Sequence, residues 1–128
     1  MIRPQYHFRK VGGHTRIWDV RKLAQAAEQL PVTLHAISAI KEVDEPYWFD
    51  ATDDQATCRR VLEHAQQIAA ADLAFPIILC AEGRIMDGMH RVMKAFGEGH
   101  DAITARQFAT TPDPDFIDIA PEDLSYED

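Results

Sequence analysis

No apolar run in this chain approaches the roughly 18 residues that a membrane-crossing helix needs. The start, Met1-Ile2-Arg3-Pro4, lacks the apolar stretch of a signal peptide, so a cytoplasmic protein with no membrane partner is expected. Cysteine is scarce. Cys58 falls on an apolar helical face and Cys80 in an apolar strand, which argues for free thiols used as small hydrophobic residues and against a structural disulfide. Basic residues are missing from 107–128, where seven acids stand, whereas 1–106 hold 13 Lys and Arg against 14 Asp and Glu. The net charge of −8 therefore belongs mostly to the tail. Internal repeats and low-complexity runs are absent as well.

What is present suits one domain with a single core: 128 residues, 46% of them apolar and 27% charged. The amino-terminal stretch is the tail's opposite, with Arg3, Arg9, Lys10, Arg16, Arg21 and Lys22 against Asp19 alone. Such a segment could meet nucleic acid or an anionic ligand; the simpler reading is a solvated surface balanced by the acidic tail.

Along the chain, Tyr6 to Gly13 is extended with Gly12-Gly13 as a turn, and Arg16-Ile17-Trp18 is a strand or an apolar lead into a helix that Asp19 caps. Val20, Leu23, Ala24, Ala27 and Leu30 mark one face of that helix, and Pro31 stops it. Val32 to Ile37 is a strand by its branched residues, followed by a single turn. His35 alternates with the apolar set and is expected to meet solvent or a polar neighbour rather than a metal.

Lys41 to Asp50 packs four acids and three consecutive aromatics around Pro46. Its simpler reading is a loop anchored by Trp48 and Phe49 on the core. Its functional reading is an acidic loop in which Glu42, Asp44 or Glu45 serves as general base or helps hold a phosphate-neutralising metal ion. Thr52-Asp53-Asp54-Gln55 is a capping-box sequence, and Cys58, Val61, Leu62, Ala65, Ile68 and Ala69 then repeat as the apolar face of the clearest amphipathic helix. The opposite face, with Arg59, Arg60, Glu63, His64, Gln66 and Gln67, reads as solvated.

The most informative stretch follows. Pro76 to Cys80 is an apolar strand, Ala81-Glu82-Gly83-Arg84 a tight turn, and Arg84 to Met86 a second strand. Met89, Val92, Met93 and Phe96 then recur at helical spacing, with Gly97 as the stop. A helix thus starts at Asp87-Gly88, with His90 and Arg91 in its first turn, where free backbone N–H groups and the helix dipole favour an anion. Asp87 can cap the helix or orient its neighbours, Gly88 lets backbone approach a ligand, and Arg91 can grip a phosphate with two parallel bonds. Ala102 to Phe108 is a last strand, and the apolar residues scattered through the tail, Phe116 to Tyr126, could pin it to the body or to a partner.

These residues resemble a family. The strand from Pro76, the hairpin through Glu82-Gly83-Arg84, the run Asp87-Gly88-Met89-His90-Arg91 with Lys94-Ala95, and the closing strand are similar to the core of the ParB/sulfiredoxin superfamily, and the whole chain is most similar to its small stand-alone ParB-like bacterial proteins. The resemblance spans Ile17 to Phe108, leaving 1–16 as a basic extension and 109–128 as an acidic tail. It implies an α+β fold, a small mixed sheet with helices packed on it. It also implies a nucleotide on Gly88 to Arg91, with ATP, ADP and CTP not distinguished and Mg2+ as the accompanying ion. Met89 stands where sulfiredoxins carry their reacting cysteine, so peroxiredoxin repair is not expected. ParB partition proteins carry Gly-Glu-Arg-Arg and further domains for which this chain has no room. Free-serine kinases carry Asp-Gly-His-His-Arg, matched here except at Met89, and take a base from an earlier loop, which points to Glu42 or Glu45. Two readings remain: a phosphotransferase or nucleotidase, and a non-catalytic module whose nucleotide gates binding to DNA or a protein.

Overall fold

A computed structural model describes residues 5–49 and 55–125. The chain is α+β, as expected, but its strands form two sheets rather than one. The first begins with β1 (Tyr6–Val11) and β2 (His14–Asp19), an antiparallel hairpin turned at Gly12-Gly13, both of which take positive φ. The second has the order β3 (Thr33–Ala36), β6 (Ala102–Gln107), β4 (Ile77–Leu79), β5 (Ile85–Asp87). Only its β4–β6 pair is parallel. Among the described residues three α-helices accompany the sheets: α1 (Val20–Ala27), α2 (Cys58–Ala70) and α3 (Met89–Gly97).

Alternation along β4 explains why the second sheet is covered on both sides. Ile77 and Leu79 face a core built with Ile85, Ile103 and Ala105, closed by Met89, Val92 and Ala95 of α3 and by Ile37 and Ile40. Ile78 faces the other way, with Cys80, Met86 and Phe108, onto Trp18 of β2 and Leu23 and Ala27 of α1. Fully burying one such aliphatic side chain contributes about 1.5–3 kcal/mol, so these two layers dominate the driving force. Asp19 caps α1 as expected, its carboxylate accepting from the Arg21 amide at 2.9 Å.

The acidic tail is bound to the amino-terminal hairpin. β7 (Phe116–Ile117) pairs antiparallel with β2, and the Trp18 indole N–H donates to the Pro112 carbonyl at 2.9 Å. Asp115 accepts from the Asp19 amide and lies 3.6 Å from Lys22 Nζ; Asp118 accepts from the Thr15 amide and meets His14 Nδ1 at 2.7 Å. The basic segment thus has tail carboxylates for neighbours.

Helix α2 departs from expectation. The capping residues Thr52 to Asp54 lie outside the described residues, as does Tyr126. The helix starts at Cys58, where the Thr57 hydroxyl accepts from the Arg60 amide at 3.2 Å. Its apolar stripe faces outward: Val61 is 50% and Leu62 57% exposed, while His64, from the face expected to be solvated, is buried. Phe96 of α3, assigned inward by its spacing, is also exposed, and α3 ends with the positive-φ Gly99 just beyond it. Leu62→Glu should therefore change the unfolding free energy by no more than about 0.5 kcal/mol in urea titrations, as befits a surface site. A loss of several kcal/mol would show that Leu62 is a core residue.

Candidate functional site

The start of α3 is built by a close approach. Gly88 takes φ 110° and ψ 22°, and a Cβ there would lie 2.7 Å from Ile77 Cγ2, so the Ile77 side chain of β4 packs directly on the Gly88 backbone. Among the described residues no side chain caps the helix. Its hydrogen-bond ladder opens with the Val92 amide donating to the Gly88 carbonyl at 3.0 Å, which leaves the amides of Met89, His90 and Arg91 ahead of it. Met89 turns its side chain into the core, while Asp87, Gly88, His90 and Arg91 line a cleft of about 1030 Å³ whose far wall includes Phe8 and Arg106.

The Arg91 fork is directed at the protein. Its Nη1 donates to the carbonyls of Phe75 and Pro76 at 3.0 and 2.7 Å, and its Nη2 to Asp87 Oδ2 at 2.8 Å. Asp87 therefore orients Arg91 rather than capping the helix. The guanidinium contributes its charge to the cleft but does not hold out two free parallel donors. Lys94, one turn on, donates to the carbonyls of Ala69 and Ala71 and closes the end of α2.

His90 belongs to a group the sequence did not bring together. Its Nε2 meets His64 Nδ1 at 2.8 Å, and both imidazoles lie against the Trp48 indole, with centroids 4.5 and 4.4 Å away. Phe49 meets His64 edge-on at 5.3 Å. Burial, then the neighbouring His64 and Arg91, hold the His90 pKa down to about 4, so the ring is neutral near pH 7. The 41–49 segment is thus both anchored and in contact with the helix start. The adjacent indications in sequence were the three aromatics and His64 itself, which α2's polar face concealed.

Glu42 and Glu45 do not converge on Gly88 to Arg91; both meet Arg84. Glu45 Oε1 and Oε2 accept from its two terminal nitrogens at 2.6 and 3.1 Å, and this pairing pulls the Glu45 carboxyl below its ordinary pKa. Glu42, 2% exposed, uses Oε2 to accept from the Ile85 amide at 2.8 Å and lies 3.3 Å from Arg84 Nε. Arg9 Nη2 donates to the Ile85 carbonyl at 3.3 Å. The Ile85 amide and carbonyl on edge strand β5 are thereby covered by one acid and one base, which supplies partners for backbone groups the sheet leaves unpaired. Tyr47 lies near Glu42 and Asp87; burial, then these two charges, push its phenol up to about 12.

These elements surround a second cleft of about 1210 Å³, lined by His7, Arg9, Glu42, Tyr47, Trp48 and Arg84 among others. It adjoins the first: Tyr6 and Phe8 border both, and the bonded pair His64 and His90 has one member in each. Among the described residues no group of three or more His, Cys, Asp and Glu side chains is placed to hold a metal ion, and no helix is long and apolar enough to cross a membrane. Comparisons with protein-family models, curated proteins and solved structures find no match.

Proposed function

We propose that the chain binds the phosphates of a nucleotide, or of another phosphorylated small molecule, at Gly88 to Arg91. The observation that carries this reading is the uncapped start of α3, where a left-handed glycine leaves three amides beside a cleft and next to a guanidinium. The order of elements around it supports the ParB/sulfiredoxin resemblance as part of the same proposal. Mg2+ taking part would be held chiefly by the ligand's phosphates, its usual mode in nucleotide sites.

Titrating tripolyphosphate and then nucleotides, with and without magnesium, into isotopically labelled protein should move the amide resonances of Gly88 to Arg91 ahead of all others. Arg91→Lys, which keeps the charge and loses the fork that holds it over Gly88, should weaken binding about tenfold. If no amide in this segment moves with any of these ligands, the reading fails.

A second reading, phosphoryl transfer, has Glu42 as its candidate base, with an Oε1 that has no hydrogen-bond partner among the described residues. The Ile85 amide beside it, however, lies on the order of 10 Å from Gly88, which leaves binding the better supported reading. Glu45 is poorly suited to that role, its carboxylate being held in two bonds by Arg84. Phosphate release or transfer lost in Glu42→Gln would separate this reading from a non-catalytic module that uses the nucleotide to gate contact with DNA or a protein.

A further inference from the structure

Glu42 and His7 line the second cleft, and each carries a buried polar atom with no hydrogen-bond partner among the described residues, Oε1 of Glu42 and Nε2 of His7. Glu42 is 2% and His7 9% exposed, and buried polar atoms left this way are few in native proteins. They come from separate elements, His7 from β1 and Glu42 from the turn at Lys41–Asp44. Ion-paired with Arg84 Nε at 3.3 Å and accepting from the Ile85 amide through Oε2, the Glu42 carboxylate presents Oε1 as an acceptor. His7, tilted against Trp18 with centroids 5.7 Å apart, is kept neutral near pH 7 by burial and by Arg9, so its Nε2 can donate or accept according to tautomer. Tyr47 and Trp48 add aromatic surface to the same cleft.

Resting on the phosphate reading above, we infer that this cleft recognises the nucleotide's base, and that it selects a base carrying an exocyclic amino group, which donates to Glu42 Oε1 while His7 Nε2 meets another polar atom of the ring edge. Distance favours recognition over proton transfer. The Ile85 amide held by Glu42 lies three strand residues before Gly88, on the order of 10 Å away. A general base must come within about 3 Å of the hydroxyl it activates, so a phosphate seated on the helix start is out of its reach. Another part of the same ligand, lying in the adjoining cleft, is not. Aromatic walls suit the flat face of a base, and an acceptor that cannot donate distinguishes an amino group from a carbonyl. His7 and Arg9 lie on the hairpin before Ile17, outside the stretch that carries the family resemblance.

The test is equilibrium binding to the full chain of ATP, GTP, CTP, ITP, UTP and tripolyphosphate. At least one amino-bearing nucleotide should bind about tenfold or more tighter than its amino-free counterpart, ATP or GTP against ITP, CTP against UTP. Glu42→Gln and, separately, His7→Phe should reduce that preference and leave tripolyphosphate affinity unchanged. The second variant is needed because Glu42 also covers the β5 edge. Equal affinity for amino-bearing and amino-free nucleotides overturns the inference while leaving the phosphate site standing. A preference that survives in both variants overturns it too. No binding of any of the six, tripolyphosphate included, removes the phosphate reading on which it rests.

Discussion

Gly88→Ala should lower the unfolding free energy by about 3 kcal/mol and the melting temperature by on the order of 10 °C. Two separate costs combine there. A residue with a Cβ is strained at φ +110°, and the new methyl would press on Ile77 Cγ2 at 2.7 Å. Ile77 is fully buried in β4 and cannot move aside without disturbing the core, and Arg91 Nη2, 3.0 Å from the same Cβ, would have to leave its place. Gly97 provides the control within the same helix: its φ is not positive and a Cβ there meets nothing within 4 Å, so Gly97→Ala should be neutral or stabilising by up to about 1 kcal/mol. Urea denaturation of both variants decides the matter. Equal effects would mean that the approach of β4 to α3 is not what selects glycine. Because the amides after Gly88 would shift with it, its variant should also lose affinity for tripolyphosphate.

The second large effect is a loss of stability in mild acid. His7 and His90 have folded-state pKa values near 4, against 6.5 in an unfolded chain. Between these values the unfolded state binds more protons, so stability falls as pH drops from about 6.5 towards 4 and levels off below. Each fully shifted histidine contributes up to about 1.4 kcal/mol per pH unit in that window. His90, only half-buried and facing His64, Arg91 and Trp48, should contribute less than His7, which faces Trp18 and Arg9. Glu45 and Asp118, whose pKa values are lowered by Arg84 and His14, add losses of the same sign at lower pH. The range from pH 6.5 to 5 is therefore governed by histidine. His7→Phe should flatten the plot of unfolding free energy against pH there, and a slope identical to that of the unaltered chain would exclude His7 as its source.

The parts of the fold legible in the sequence are those where local and tertiary preferences agree. Gly12-Gly13, the Asp19 cap, the apolar run of β4 and the period change at Asp87-Gly88 each specify a conformation that the neighbouring elements also require. Helix α2 could not be read this way. Periodicity identifies two faces but not which one meets the protein, and here Trp48 and Phe49 from a distant loop provide His64 with partners that the apolar stripe lacks. For the candidate site, Gly88 to Arg91 were found by their position at a helix start, but the use of Arg91 was not, because the carbonyls of Phe75 and Pro76 meet it only after β4 has folded against α3. Glu42 was recognised as an acid of interest from its loop; its hold on Ile85, 43 positions later, leaves no trace in local sequence. Strand β7 was equally hidden, two residues long and preceded by a proline-rich stretch.

That short strand also sets the order in which the molecule can assemble. The β1–β2 hairpin needs only neighbours in sequence and can form while the chain is still being made, but the bond from Thr15 to Asp118 joins residues 103 positions apart. Until Phe116 and Ile117 emerge, β2 presents an unsatisfied edge and Trp18 lacks its acceptor on Pro112. The acids clustered around β7 place like charges on this later segment, and repulsion between two such chains discourages a foreign strand from taking its place.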